Sequence, residues 1–392
     1  MTRLASFVET CADTELAITR IVSQARASIS PSALFVYFGK SHAENVILDQ
    51  LRAAFPRAPI IGATSSGGVL APSHVPHPAD IGVLAICDPL ADFGVGARQI
   101  GSHPIAAARG ALLDAMESCG CLGELPSAII VHQPPGAEEA IIEGLRSVLG
   151  DRCPIIGGSA ADDDVTGEWR VVSSAGFGPD FVAVMPVFTK ASVSTAFQSG
   201  YAPTGKAGIV TSGEGRRLGA IDGRPAAEVY DEWTGGGIRE AALNGGSVLA
   251  ASALSPIGLP VRRVGSVMQH KLVHPAFVQS DGSMEIFANI AEGQMIELME
   301  GSPESLARRA GRVLSDARAA LTEPSSFCGG LIFYCGGCSM SLGDKMQMLV
   351  DELDPAAMGE PFLGALTFGE QGMISDACTH GNLMVSALAF SR

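Results

Sequence analysis

The sequence predicts an α/β fold of two domains, built on repeated strand–helix–strand(–strand) units that form mixed sheets. Three observations carry this expectation. A 35-residue stretch at 31–65 recurs at 126–160 without gaps, a looser third copy begins at 329, and a glycine-rich tract separates the third copy from the others. Eleven of the 35 aligned positions are identical between the first two copies, among them Pro31/Pro126, Val36/Val131, Glu44/Glu139, Pro59/Pro154 and Gly62/Gly157. The third copy runs from "GGLIFYCGG" to "PFLGALTFGE" and aligns with a five-residue insertion. Self-similarity at a fixed spacing is the mark of one supersecondary unit used repeatedly.

Each copy opens on a short β-rich apolar run, as buried strands do. The middle carries helical spacing: Ile47, Leu51 and Ala54; Ile141, Leu145 and Val148; Leu342, Met346, Leu349 and Leu353. Each copy closes on Pro-apolar-apolar-Gly or its like, with proline where its missing N–H does least harm. Further apolar segments follow at Ile81–Ile86, Phe181–Phe188 and Leu383–Phe390. A strand–helix–strand unit of this length forms a right-handed parallel crossover. The loops after its first and second strands then share one sheet edge, where open α/β sheets bind ligands. In copy three those loops are Cys335–Cys338 and Thr367–Gly372.

Residues 200–246 hold 12 of the 47 glycines and read as loops at a domain junction. A helix at Pro225–Trp233, strands in "RRVGSVMQHKLV" and "SMEIFANI", and an amphipathic helix near Ser305–Leu321 follow. The first domain is therefore placed at 1–222, with a helical lead-in at 1–30 and copies at 31–95 and 126–190. The second is placed at 223–392, with the third copy at 329–392.

Apolar residues make up 47% of the 392 and charged ones 17%, which supports a large core and excludes wholesale disorder. A net charge of −15 and the absence of a Lys/Arg cluster argue against nucleic-acid or anionic-membrane binding. The N-terminal segment lacks signal-peptide character, and no apolar run suggests membrane insertion. Nine scattered cysteines, an odd number, fit reduced thiols and a cytoplasmic location.

"ALFVYFG", "PIIGATSSGG", "DIGVLAI" and "PIIGGSAADD", followed by "IDGRPAAEVYDEW", "IAEGQMIELMEG", the Cys335-Gly336-Gly337-Cys338 loop, "PFLGALTFGEQG" and "HGNLMVSALAF", resemble in kind and order the FIST family, with its FIST N and FIST C domains. The resemblance implies a non-enzymatic sensor of a small ligand in signal transduction, with amino acids among the ligands. It also implies a similarity to full-length bacterial haem proteins that sense nitric oxide and act on a histidine kinase. Many relatives carry Arg after the Cys-x-Gly of this loop; here the position is Cys338.

Candidate ligand-binding residues follow from the predicted edge and the resemblance together. They are Cys335, Gly337, Cys338, Thr367, Gly369, Glu370, His380 and Asn382, with Thr64, Ser65 and Ser159 in the matching loops of the other copies. A thiol at a helix N-terminus favours the thiolate, which binds soft metals or exchanges disulfides. Metal candidates are Cys335, Cys338, His132 and His380; a closed four-ligand site would need donors beyond the one CxxC. Haem, if bound, needs an axial residue, for which His42, His132, His270, His274 and His380 are open. Asp162-Asp163-Asp164 reads as a solvated loop. Structural readings stand beside these: a tight glycine turn for the CxxC and backbone capping for Glu370.

"GYAPTGKA" imitates a P-loop, but Ala207 replaces the metal-binding hydroxyl and strand-like sequence follows. His42-Ala43-Glu44 with the CxxC falls short of the zinc-deaminase pattern, and no G-x-S-x-G elbow occurs. The rival readings are a haem-free metabolite-binding module and a thiol-dependent redox enzyme using Cys335 and Cys338. A protein-recruiting scaffold is a third.

Overall fold

The computed structural model describes residues 1–392. The opening apolar runs are strands at Ala33–Phe38, Ala128–His132 and Phe327–Cys335, every residue of them buried. Each leads through a helix to a parallel second strand: Ile60–Thr64, Ile155–Gly158 and Phe362–Thr367. The crossover helices are Glu44–Ala54 and Glu138–Leu149; copy three uses Gly336–Leu342 followed by Gln347–Ala357. A return strand then pairs antiparallel with each opening strand, at Asp80–Cys87, Phe181–Phe188 and Met384–Ser391.

The unit is larger than the recurring sequence. Each return strand also carries an edge strand from before the copy: Arg3–Thr10, Gly96–Gln99 and Val193–Ser199. A second helix precedes each opening strand, at Thr14–Ser28, Pro104–Ser118 and Pro303–Ala319. The lead-in at 1–30, expected as helical, is thus a strand and a helix; Leu4, Ser6 and Val8 lie opposite Ile86, Leu84 and Gly82 in a ladder that the helical reading had no place for.

The copies interlock. The segment after each second strand leaves its own sheet and adds to the second strand of another copy. Val69–Leu70 of copy one pairs with copy three, Val171–Ser173 of copy two with copy one, and Glu370–Ile374 of copy three with copy two. Three exchanges close a ring of three sheets.

The inner faces of the sheets share one core, with Phe35 and Ile61, Ile130 and Met185, and Leu331 and Leu363. At its centre Tyr37, His132 and Phe333, one from each opening strand, stand edge to face with ring centroids 5.4–5.9 Å apart. The helices cover the outer faces, through Ile18, Ile21 and Leu51 in copy one and Leu314, Leu349 and Leu353 in copy three. The strand register corrects the sequence alignment of copy three by one position. Leu34 opposes Ile60 and Gly330 opposes Phe362, so Tyr37 corresponds to Phe333 and the insertion is one residue longer. Because side chains alternate faces, that one step decides which aromatic enters the core.

Residues 202–300 form the second body, a nine-stranded antiparallel sheet over Val210, Tyr230, Leu259 and Ile296. It is inserted between the edge strand Val193–Ser199 and the helix Pro303–Ala319 of copy three. Residues 223–392 therefore divide in space: their last part joins the ring with copies one and two, since its apolar inner face has no other partner. The P-loop-like stretch lies in the long strand Ala202–Glu214. No helix is long and apolar enough to cross a membrane.

Candidate functional site

A cavity of about 440 Å³ opens where copies two and three meet the inserted sheet. Copy three supplies Cys335, Gly337, Met340, Ser341, Phe368 and Gly369 from the predicted sheet edge. Copy two supplies Pro135 and Glu138, with Val165 and Trp169 from its arm; the insertion supplies Arg216, Leu249, His274 and Phe287. Most of the wall is apolar or aromatic, with Trp169 edge-on to Phe368 and His274 edge-on to Phe287. A cavity of this size, apolar with a few convergent polar groups, suits one small organic molecule.

The polar end is built by residues from separate elements. Arg216 reaches from the insertion to Glu138 Oε2 at 2.6 Å and Glu139 Oε2 at 2.9 Å, both at the N-terminus of the copy-two helix. Glu138, 2% exposed, also accepts from Ser159 Oγ at 2.8 Å, and Ser159 in turn accepts from Gln133. Behind it, His380 Nδ1 lies 3.3 Å from Glu139 and its Nε2 3.4 Å from Asn382 Nδ2. These partners set Nδ1 to donate to the carboxylate and hold Nε2 against the amide. Burial alone would raise the Glu139 carboxyl, but the bond from His380 and the Arg216 charge hold it well below the usual carboxylate range. His274 is fully buried, and desolvation pulls it down to about 4. Its Nε2 donates to the Leu249 carbonyl at 2.9 Å, which leaves Nδ1 as an acceptor.

Of the residues predicted from sequence, Cys335, Gly337, Gly369 and Asn382 line the cavity. Cys338 lies behind Cys335, its sulfur 3.6 Å from the Tyr201 hydroxyl. The expectation of a lowered thiol pKa at this helix start is corrected for Cys335: burial in apolar surroundings pushes it well up, outweighing the short helix. Thr367 and Glu370 sit one layer beneath the wall. Thr367 Oγ1 donates to Glu370 Oε1 at 2.9 Å, the Met384 N–H to Oε2 at 3.2 Å, and burial pushes the carboxyl well up.

Thr64, Ser65 and Ser159 do not reach the cavity; they join one copy to another. Thr64 Oγ1 accepts from the Arg170 N–H, and Ser65 Oγ from the Leu366 N–H. Ser159 exchanges main-chain bonds with Gly369 and Phe368. Nor does the structure unite the four metal candidates. His132 is a core residue, its Nε2 3.1 Å from the Tyr37 hydroxyl and its Nδ1 2.9 Å from the Gly158 carbonyl, with burial lowering it to about 4. His380 alone joins a set of potential donors, Glu138, Glu139 and His380, and there Arg216 already supplies the positive charge. His42 pairs with Thr14 and His270 with Glu297, both away from the cavity. Asp162, expected in a solvated loop, is buried and accepts from the N–H groups of Val165, Thr166, Gly167 and Glu168.

Sequence reasoning missed Glu138, Trp169, Arg216, Phe287, Met340 and Phe368. Glu138 could have been found, since it begins the helix just after the opening strand of copy two, at the edge equivalent to the Cys335 edge of copy three. Arg216 lies in a turn of the insertion, where nothing local points to copy two.

A model of the FIST N domain matches residues 32–224, and one of the FIST C domain matches residues 226–373. The chain belongs to the FIST family. Its domains are small-ligand-sensing modules of signal transduction. The boundary between the two models falls within the insertion rather than between the two spatial bodies. No curated protein matches the chain. Among solved structures, a cyanuric acid hydrolase from A. caulinodans is similar at 11% identity over 50% of this chain and 71% of its own, with a TM-score of 0.30. PurLQS from Thermotoga maritima is similar at 11% identity over 77% and 72%, with a TM-score of 0.21. Likeness at these scores bears on no functional point.

Proposed function

We propose that this FIST protein senses a compact organic molecule with an apolar body and one polar or charged end, bound in the cavity between copies two and three and the insertion. The observation that carries the reading is the position of Arg216. It forms part of the cavity wall and at the same time ties the inserted body to the copy-two helix. A ligand that competes for Arg216 or for Glu138 would change how firmly the two bodies are joined, and so favour one arrangement over another. The protein then acts by binding rather than turnover. In support, Cys335 and Glu370 are both driven toward their neutral forms, which suits neither a rapidly turning-over thiolate at neutral pH nor a general base. The free cysteines fit a reducing cytoplasm, and a histidine kinase as the receiver of the signal rests on family resemblance.

Haem is the second reading, and one observation favours it: His274 is neutral, oriented by a carbonyl and set in an aromatic wall. As they stand, however, these residues do not fit the group. The free nitrogen is Nδ1, the ring nitrogen nearer the main chain, a poor seat for a wide macrocycle.

A thermal-shift screen of the full chain with single amino acids, small aromatic acids and hemin tests both readings. The expected result is stabilisation by a small molecule that disappears in Ala250→Trp, which fills the cavity. A Soret band lost in His274→Ala would establish haem instead. Stabilisation that survives Ala250→Trp would place the ligand elsewhere and remove the basis of the proposal.

A further inference from the structure

All nine cysteines are free, and the pair at the cavity is set apart by its geometry. Cys335 ends the opening strand of copy three and is the N-cap of the helix Gly336–Leu342; Cys338 lies in that helix's first turn. The Cys335 side chain makes no capping bond, and Cys338 stands three residues on, in the same first turn. The residues between them are both glycine, so no side chain intervenes. Cys335 lines the cavity, whereas Cys338 is 1% exposed and sits behind it. One sulfur is therefore open to a molecule in the cavity, and the other is within reach of the first. That division is what an attacked thiol and a resolving thiol require. Cys153 and Cys378 offer a contrast. They are also close and buried, Cys378 Sγ lying 3.5 Å from the Cys153 carbonyl, but neither lines the cavity.

We propose that Cys335 and Cys338 are an oxidisable dithiol, converted to an intramolecular disulfide by a hydroperoxide that enters the cavity. The Cys335 sulfur attacks the terminal peroxide oxygen and the O–O bond breaks. The alkoxide takes up the thiol proton and leaves as an alcohol, with Cys335 as a sulfenic acid. The Cys338 sulfur then attacks Cys335, the S–O bond breaks, and the hydroxide leaves as water with the Cys338 proton. In sum, two thiols and one hydroperoxide give one disulfide, one alcohol and one water; sulfur is oxidised and peroxide reduced. The groups around Cys335 are Cys338, Tyr201, Tyr334 and Glu370, with His274 and Arg216 in the same cavity wall. Burial keeps His274 neutral, and Arg216 is engaged by Glu138 and Glu139, so neither is free to hold a thiolate. Oxidation is therefore slow at neutral pH and accelerates as pH rises. The new bond closes the turn that carries Gly337 and leads into Met340 and Ser341, so the wall of the cavity differs between the two redox states. This inference stands whether or not the cavity's ligand is the one proposed above.

The test treats the reduced full-length chain with tert-butyl hydroperoxide at pH 8.5, blocks remaining thiols with maleimide, and maps the cysteines by mass spectrometry. The 335–338 peptide is expected to lose two hydrogens, take no maleimide, and recover both thiols with dithiothreitol. In Cys338→Ser, dimedone should label Cys335 as sulfenic acid; in Cys335→Ser, labelling of Cys338 should fall at least tenfold. Circular dichroism of both variants checks that the fold persists. Maleimide on both Cys335 and Cys338 after treatment would overturn the proposal, as would equal labelling of Cys338 in Cys335→Ser.

Discussion

Gly369 shows how one residue holds two copies against each other. Its φ is +97°, and a Cβ there would stand 2.5 Å from His380 Nε2. Only glycine suits both the backbone and the space. Gly369→Ala should destabilise the chain by about 1–3 kcal/mol, read as a shifted denaturation midpoint. His132 makes a pH prediction of known sign. Its folded pKa of about 4 lies below the unfolded value near 6.5, so the unfolded chain binds the extra proton between these limits. The stability it contributes is complete above pH 6.5 and is lost as pH falls toward 4, at up to about 1.4 kcal/mol per pH unit. Denaturant titrations at pH 5 and 7 should therefore show a smaller pH difference in His132→Gln than in the native protein, even though the variant is less stable at both. The sequence offered His132 as a ligand candidate, and as one residue it could be either. Tyr37 and Phe333, from distant parts of the chain, make it a core histidine.

At the scale of elements, the sequence spoke most clearly where a face is buried along its whole length. The opening strands, their parallel partners and the crossover helices of copies one and two were legible from apolar runs and helical spacing alone. In copy three the spacing Leu342, Met346, Leu349, Leu353 read as one helix, which Gly343 divides into Gly336–Leu342 and Gln347–Ala357. The helix Pro303–Ala319 was legible too, although its start lay two residues earlier than its periodicity suggested. Ser302 explains the start: its side chain accepts from the Ser305 N–H, and Ser305 Oγ accepts in turn from the Ser302 N–H, with proline next in line. Ser302→Ala should cost about 1 kcal/mol. Hydrogen exchange should increase first in the turn at 303–306. The arms were not legible. Val69–Leu70 and Val171–Ser173 are two and three residues long, too short for any period to show. Their bonding partners lie in other copies, and no local pattern encodes a strand that completes a distant sheet.

For the whole molecule, Arg216 is the contact on which the functional reading turns. Arg216→Ala leaves Glu138 and Glu139 partly buried without their cation, which should cost on the order of 2 kcal/mol given the guanidinium's partial exposure. Hydrogen exchange should rise together at 135–139 and 286–291, the two faces of that junction, while the ring core stays protected. Unchanged exchange at both faces would show that Arg216 is no latch. What the sequence alone determined was the repeated unit, its α/β character and the sheet edge of copy three at which the cavity opens, because periodicity and burial act within one segment. Tertiary structure decided that three copies close into one ring by exchanging arms and that 202–300 is an insertion in the third. It also decided that Glu138 meets Arg216 beside Cys335. Those outcomes depend on which unsatisfied sheet edges and buried charges find each other across hundreds of residues, and that pairing is settled only when the chain is folded.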